Sequence, residues 1–251
     1  GYLIRETMKK WGMDTQGLQT DSQHPTGIVT ISHEDSGPAY RIEDDQAYDH
    51  IAFDNTLQNL NSEYYSLLLH GTLALRAHIS HETLTTLREK LNIPVFADLN
   101  RRPPWWNASI AKETLQRASW VKVNEKELQE IAGLEALSNS PHEQLAAQLT
   151  ERYKNIQILF VTLGAQGSFA ITQNGETFYE KSVPLPATEL DTIGAGDAFT
   201  AIAIIGLLEG WTVDLTLQRA NKFASAICRI PGATTTNRDV YEAELKSWTT
   251  K

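Results

Sequence analysis

Residues 191–208, "DTIGAGDAFTAIAIIGLL", join a glycine-rich turn to an apolar helix and place one carboxylate, Asp197, at the junction. The first turn of a helix carries backbone N–H groups without intrahelical partners and lies at the positive end of the helix dipole. Glycines such as Gly194 and Gly196 let an anion approach that backbone closely. The turn formed by Gly194, Ala195 and Gly196 therefore predicts an anion-binding site at the start of a helix.

Asp197 has two interpretations. A carboxylate in the first helical turn stabilises the helix by about 0.3–1 kcal/mol and needs no further role. Alternatively, Asp197 accepts the proton of a hydroxyl group that receives a phosphoryl group. The transition state of phosphoryl transfer is loose, so this hydroxyl needs orientation and a late proton acceptor more than a strong base. The anion-binding turn would then stabilise charge on the transferring phosphoryl oxygens.

The composition restricts the class of protein. A chain of 251 residues with 41% hydrophobic residues is long enough for one large α/β domain. Its net charge of −9 argues against nucleic acid and an anionic membrane as partners. The longest apolar run, 198–208, is shorter than the roughly 20 residues of a membrane-spanning helix. A single cysteine, Cys228, excludes an intrachain disulfide, so we expect a cytoplasmic protein.

Strand-like and helix-like patterns alternate along most of the chain. This alternation predicts a parallel sheet with helices on both faces. Two strand-like runs, 27–33 and 39–43, with a turn over 34–38, do not fit it and predict a small separate sheet. Helices are predicted over 1–12, 80–92, 107–119, 125–133, 196–209 and 214–228, and further strands over 64–71, 93–100, 118–124, 155–164 and 167–173.

Two polar motifs follow predicted strands. "VTLGAQG" (161–167) supplies the hydroxyl of Thr162 with Gly164 and Gly167, which suits either a phosphate-binding turn or a plain hairpin. "NEKE" places Asn124 and Glu127 three residues apart, on one face of a starting helix. This pair suits hydrated Mg²⁺, and it equally suits a helix-capping pair.

A third motif, "DLNRRPPWW" (98–106), ends another predicted strand with Asp98, Asn100 and Arg102. An arginine at such a place can bind a phosphate or a substrate oxygen with two hydrogen bonds. A surface loop with two prolines is the alternative. Asn100 and Arg102 are the substrate contacts that this motif predicts.

Together, these four stretches resemble the ribokinase and phosphofructokinase-B family of carbohydrate and nucleoside kinases. "DTIGAGDAF" is similar to its C-terminal signature, "VNEKEL" to its Asn-x-x-Glu motif, "VTLGAQG" to its Thr-x-Gly-x-x-Gly turn and "DLNRRPPWW" to its Asp-x-Asn-x-Arg stretch. "GPAYRIEDDQAYDHI" (37–51) and "LLHGTLALR" (68–76) resemble bacterial fructokinases most. The resemblance implies a ribokinase-like α/β core, residues 1–15 and 44–251, and a small β lid to which residues 16–43 contribute.

The resemblance also implies a role for each motif residue. Asp197 corresponds to the catalytic base, and Gly194, Ala195 and Gly196 to the anion hole. Glu127 corresponds to a Mg²⁺-linked glutamate, and Asp191 with the loop 231–235 resembles a loop that binds a monovalent cation. The nucleotide- or phosphate-binding positions are Asn124, Thr162, Gly164, Gly167 and Asn221.

The function implied is an ATP-dependent sugar kinase, most similar to fructokinases, with Mg²⁺ and, in branches that keep the cation loop, K⁺. Its partners are then a sugar and ATP, with a homodimer formed through the lid strands and no nucleic acid or membrane. One alternative is a 2-keto-3-deoxygluconate kinase that uses Arg102 near an acidic substrate. The family pattern starts upstream of residue 1, with strands and sugar-binding segments. A truncated, non-catalytic nucleotide- or sugar-binding homologue is therefore the alternative from another class.

Overall fold

The computed structural model describes residues 1–34, 37–137, 140–185 and 191–249. Its helices are α1 (Tyr2–Lys10), α2 (Asn55–Gln58), α3 (His78–Leu91), α4 (Ala108–Arg117), α5 (Glu125–Leu134), α6 (His142–Arg152), α7 (Ala195–Leu208), α8 (Val213–Ile227) and α9 (Asp239–Thr249). Its strands are β1 (Val29–Glu34), β2 (Gly37–Ile42), β3 (Leu68–Gly71), β4 (Val95–Asp98), β5 (Trp120–Asn124), β6 (Ile158–Thr162), β7 (Ser168–Thr172) and β8 (Thr177–Glu180).

The strands form two separate sheets. Six strands lie in the order β3-β4-β5-β6-β7-β8, and the first four are parallel. The direction reverses at β7 and again at β8, because each pairs antiparallel with the strand before it. Strands β1 and β2 form an antiparallel pair of their own. The mostly parallel sheet and the small separate sheet thus agree with the sequence. The predicted turn between β1 and β2 includes residues 35 and 36, which lie outside the described residues.

The large sheet is covered by helices on both faces. Successive side chains of a strand point to opposite faces, so the central strands β4, β5, β6 and β7 each contribute to two hydrophobic cores. One core contains Val121 and Val123 of β5 and buried side chains of α4, α5 and α6. The other contains Phe160 of β6 and Phe199 and Leu217 of α7 and α8. The same alternation turns the even-numbered residues of β4 and β5 towards α7.

Several elements differ from the prediction. Helices α6 and α9 and strand β8 were not expected, and α5 continues past Gly133, so this glycine does not end the helix. Helix α3 begins two residues earlier than expected, at His78. Within the described ranges, no helix is both long and apolar enough to cross a bilayer.

Candidate active site

The carboxyl ends of the parallel strands meet at one edge of the sheet. Asp98, the last residue of β4, pairs with Lys122 of β5. Asn124, the last residue of β5, pairs with Thr162, the last residue of β6. In open α/β sheets, ligands bind outside the carboxyl ends of the strands. The predicted residues Asn124 and Thr162 therefore lie side by side where a ligand is expected.

The glycine-rich turn has the conformation that its sequence requires. Gly194 precedes the first residue of α7 with φ +82° and ψ −7°, in the left-handed region. A Cβ atom on Gly194 would lie 2.7 Å from both the Cα and the carbonyl oxygen of Ala233. A larger residue would therefore separate the turn from the loop 231–235. Asp197 lies in the first turn of α7 with its side chain exposed, and within the described part of the chain its carboxylate has no ion-pair partner.

A buried ion pair lies beneath this turn. The Nζ atom of Lys122 is 3.0 Å from Oδ1 and 3.2 Å from Oδ2 of Asp98, and the Thr200 hydroxyl donates to Oδ2 at 2.7 Å. All three residues are less than 9% exposed. A Cβ atom on Gly196 would lie 3.1 Å from the Lys122 Nζ atom. The first turn of α7 thus rests on a cation, which adds to the positive end of the helix dipole.

Sequence reasoning missed Lys122 and Thr200. Lys122 stands in "SWVKVN", between two residues that are fully buried. A charged residue in the middle of an apolar strand needs a partner, because burying an unpaired charge is very costly. This was the signal available for Lys122. Thr200 gave none, since its role depends on the packing of α7 against β4.

Asp191 joins the glycine-rich turn to the loop 231–235. Its Oδ1 accepts from the amide of Ile193 at 3.0 Å, and its Oδ2 accepts from the amide of Gly232 at 2.8 Å. These two hydrogen bonds lower the pKa of Asp191 below its usual value, so it is ionised at neutral pH. An ionised carboxylate attracts a hard cation, which prefers oxygen ligands.

Asn124 and Glu127 form a complete capping box at the start of α5. The Asn124 Oδ1 accepts from the amide of Glu127 at 3.0 Å, and the Glu127 Oε2 accepts from the amide of Asn124 at 2.8 Å. The Glu127 Oε1 also accepts from the amide of Arg101 at 2.8 Å. Because both oxygens of this buried carboxylate already hold an amide, the pair fits Mg²⁺ only through bound water.

The predicted nucleotide turn is also a hairpin. Residues 163–167 connect antiparallel β6 and β7 through a short 3₁₀ turn that contains Gly164. Gly167 has φ +106°, and a Cβ atom there would lie 2.1 Å from the carbonyl oxygen of Glu180. The hairpin and the phosphate-binding interpretations are therefore compatible, because the turn ends at the ligand-facing edge of the sheet.

Asn221 lies on α8 and reaches the same carbonyl group. Its Nδ2 donates to the carbonyl oxygen of Glu180 at 3.2 Å and to the Ser168 hydroxyl at 3.0 Å. Thr162 uses its hydroxyl to donate to the carbonyl oxygen of Val123 at 3.4 Å. The carbonyl group of Glu180 is therefore a neighbour of both Gly167 and Asn221. The Asn221 amide group holds α8 against β7 and β8.

The loop after β4 contains the two predicted substrate residues. Asn100 has φ +40°, and the Arg102 guanidinium donates to the neighbouring carbonyl of Arg101 at 3.3 Å. Among the described residues, no carboxylate forms an ion pair with Arg102. Further along the loop, Trp105 lies against Arg76, whose guanidinium carbon is 4.3 Å from the ring centroid. Arg102 is therefore available to an anionic group.

Comparison with known proteins gives consistent matches over most of the chain. The profile of the "pfkB family carbohydrate kinase" matches residues 1–239. An uncharacterized sugar kinase from Pyrococcus horikoshii is 29% identical over 243 residues, which cover 91% of this chain and 69% of that protein. A fructokinase from Salmonella typhimurium is 28% identical over 86% of this chain and 70% of its own length. A 5-dehydro-2-deoxygluconokinase from Shouchella clausii is 26% identical over 90% of this chain and 71% of its own.

Solved structures share the fold. The Pyrococcus horikoshii kinase in complex with ATP has a TM-score of 0.72 and 26% identity over 92% of this chain and 74% of that chain. A ribokinase from Thermotoga maritima also has a TM-score of 0.72, at 21% identity, over 97% of this chain and 76% of its own. These similarities confirm the ribokinase-like fold that the sequence motifs imply.

Proposed function

The chain belongs to the pfkB family of carbohydrate kinases, which are phosphotransferases with an alcohol acceptor, and from that premise we propose that it phosphorylates a sugar with ATP, using Asp197 as the base. One observation carries this proposal. The turn Gly194–Gly196 starts a helix whose first turn carries the exposed Asp197, and Gly196 lies against the Nζ atom of the buried Lys122–Asp98 pair.

In the proposed mechanism, the acceptor hydroxyl binds beside the Asp197 carboxylate. The hydroxyl oxygen forms a bond to the γ-phosphorus of ATP, the bond from that phosphorus to the bridging oxygen of ADP breaks, and the proton moves to Asp197. Backbone amides of the turn 194–196 bind the transferring phosphoryl oxygens. Lys122 is a positioning residue here, because its Nζ atom lies beneath the turn and is held by Asp98.

We propose that ATP lies along the ends of β5 and β6. Asn124, Thr162, Gly164 and Gly167 would contact its phosphates, and the region around Asn221 would lie near the adenine. Mg²⁺, when bound, neutralises charge on the phosphate groups, and Glu127 would reach it through water. Asp191 and the loop 231–235 would hold K⁺ next to the anion-binding turn. The ATP complex of the Pyrococcus horikoshii kinase supports the choice of nucleotide.

For the acceptor, we propose a fructose-like sugar with a primary hydroxyl group. The similarity to the fructokinase from Salmonella typhimurium supports this choice. A 2-keto-3-deoxygluconate acceptor is the second candidate, with Asn100 and Arg102 as contacts. It is supported by the Arg102 guanidinium, which pairs with no described carboxylate, and by the relative named 5-dehydro-2-deoxygluconokinase. The carboxylate of an anionic acceptor would pair with the Arg102 guanidinium.

The test measures ADP release from Mg-ATP with fructose, 2-keto-3-deoxygluconate, ribose or adenosine as acceptor. We expect turnover with one acceptor, and its loss in Asp197→Asn. Asp214→Asn is the matched control, since Asp214 is an exposed carboxylate in the first turn of the neighbouring helix α8. Arg102→Met should abolish turnover only if the acceptor is the acidic sugar. ATP binding without acceptor-dependent turnover would instead support a non-catalytic binding protein.

We also propose a homodimer formed through the two-stranded sheet. Two adjacent apolar side chains here, Ile28 before β1 and Val29 as its first residue, are 62% and 51% exposed. Light scattering coupled to size-exclusion chromatography measures the mass directly. A dimer that Val29→Lys converts to a monomer would support this assembly, whereas a wild-type monomer would contradict it.

A further inference from the structure

Three side chains of types that bind metal ions, His24, Asp45 and His50, lie close together in space. They are distant in sequence from the glycine-rich turn. The Nε2 atom of His50 is 2.7 Å from Oδ1 of Asp45, and the Nε2 atom of His24 is 3.7 Å from the same oxygen. All three donor atoms lie within 4.8 Å of one another. Across the described ranges, no other group of three such donors from His, Cys, Asp or Glu meets this limit.

These distances suit a tetrahedral ion. With metal–ligand bonds of 2.0–2.2 Å, two donors around Zn²⁺ are about 3.3 Å apart. The observed separations of 2.7 and 3.7 Å lie on either side of that value. The two imidazole rings are stacked, with centroids 3.5 Å apart and planes at 8°. Binding therefore takes a rotation of the rings out of parallel, so that one lone pair from each points at the ion.

A second carboxylate fixes the orientation of one ring. The Nδ1 atom of His24 is 2.8 Å from Oδ2 of Asp21. The Asp21 carboxylate is itself held in place, because its Oδ1 accepts from the amides of Gln23 at 2.7 Å and His24 at 2.9 Å. A carboxylate that accepts at Nδ1 keeps the proton there and leaves the Nε2 lone pair free, as in carboxylate–histidine–metal sites.

The cluster is accessible to solvent, and its three donors do not by themselves fill the four positions of a tetrahedral ion. The side chains of His24 and His50 are 23% and 25% exposed, and that of Asp45 is 74% exposed. Three protein donors with solvent access leave a fourth position to water. Two imidazoles and one carboxylate favour Zn²⁺ over Mg²⁺, which takes oxygen ligands.

We propose that His24, Asp45 and His50 form a Zn²⁺ site that links the segment before β1 to the segment after β2, at one end of the small sheet. His24 precedes β1, and Asp45 and His50 follow β2. The two segments already touch, since the amide of Ala47 donates to the carbonyl oxygen of Pro25 at 2.9 Å. An ion bound there cross-links the chain before and after the small sheet. This site is independent of phosphoryl transfer, and nothing in the proposed reaction uses it.

The test is competition for Zn²⁺ between the untagged protein and a chromophoric chelator, without nucleotide. We expect one site per chain, loss of at least tenfold in affinity for His24→Gln and for His50→Gln, and no change for His78→Gln, an exposed histidine elsewhere. Asp21→Asn, which removes only the partner of Nδ1, should weaken binding about 10–100-fold. Excess Mg²⁺ should not compete.

Two results would overturn the proposal. One is a wild-type protein that takes no Zn²⁺ from the chelator, and the other is a His24→Gln/His50→Gln double variant that binds Zn²⁺ as tightly as wild type. Histidine ring NMR of the unmodified chain is a check that does not depend on variants. One equivalent of Zn²⁺ should move the signals of two of the seven histidines, and movement of none would equally overturn the site.

Discussion

The Nζ atom of Lys122 lies 3.0 Å from the Asp98 carboxylate and directly beneath Gly196, where a Cβ atom would be 3.1 Å from it. This ion pair connects the middle of the sheet to the turn that we propose binds phosphate. A positive charge held there needs no reorganisation when an anion arrives, because Asp98 and the surrounding burial fix its position. The Lys122–Asp98 pair therefore stabilises the fold and also contributes to the electrostatic potential at the candidate active site.

Removing Lys122 should strongly destabilise the protein. Lys122→Met leaves Asp98 buried with one hydrogen bond from Thr200, and breaking a buried ion pair costs about 3–5 kcal/mol. Urea unfolding measures the loss, and Lys126→Met, at an exposed position of α5, is the control. The double variant Lys122→Met/Asp98→Leu should recover part of it. Purely additive costs would show that the two charges do not stabilise each other.

Adding a methyl group should destabilise the protein more at Gly194 than at Gly232. Both residues have positive φ, +82° and +79°, so each alanine variant has the same backbone strain of about 1–2 kcal/mol. Only at Gly194 would the new Cβ meet another group, the Ala233 backbone at 2.7 Å, whereas nothing lies within 4 Å at Gly232. Gly194→Ala should therefore unfold at clearly lower urea concentration. Equal midpoints would contradict the close packing of the two loops.

His70 should make stability depend on pH between about 4 and 6.5. Burial at β3 lowers the pKa of His70 from 6.5 to about 4, so the native protein holds it neutral while the unfolded chain binds a proton. The free energy of unfolding then falls as pH drops through this range, by up to about 3 kcal/mol in total. Urea midpoints against pH should show a shallower slope for His70→Asn. The exposed His78→Asn should keep the wild-type slope, and an unchanged slope in both would refute the assignment.

Glu127 should matter more to stability than Glu130, although both lie on α5 and contact Arg101. Glu127 accepts the Arg101 amide in a buried place, and Glu130 pairs with the Arg101 side chain near the surface, at 2.6 Å. Glu127→Gln replaces an acceptor of two amides with a group that can satisfy only one, which costs about 1–3 kcal/mol. Glu130→Gln should cost less than about 1 kcal/mol. Thermal unfolding of the two variants compares them, and the reverse order would argue against a capping role for Glu127.

The sequence predicts the helices and strands whose hydrophobic residues recur with a regular period or whose ends carry a recognisable turn or capping residue. The apolar helix after Gly194 and the strands that contain Val121 and Phe160 are of this kind, and the structure confirms them. Strand β8 and helix α9 have mixed patterns that only tertiary packing resolves, so they were not expected. Gly133 shows the opposite error, because a glycine near a helix end is a signal and not a requirement.

For the candidate site, the motifs identify residues but not their partners. Asn124 and Glu127 were placed correctly at the start of a helix, and the structure shows the capping box there, whereas their contact with Mg²⁺ stays a prediction. Asp197 keeps its predicted place in the first turn of α7, and its role as base stays a prediction. The contacts of Lys122 with Asp98 and of Gly194 with Ala233 join distant segments, which no local pattern encodes.

The hydrogen bond from Thr200 to Asp98 joins residues 102 positions apart in the chain. We expect this contact to form late in folding, because the entropy of closing a long loop must be overcome before the contact stabilises anything. The sheet from β4 to β6 and the helices between its strands can assemble from neighbouring segments first. The buried contacts beneath the predicted anion-binding turn then form when α7 docks, which we expect to be the last step. In refolding experiments, the helical circular dichroism signal should therefore recover before anion binding does. The time course of anion binding would then report the rate of the last folding step.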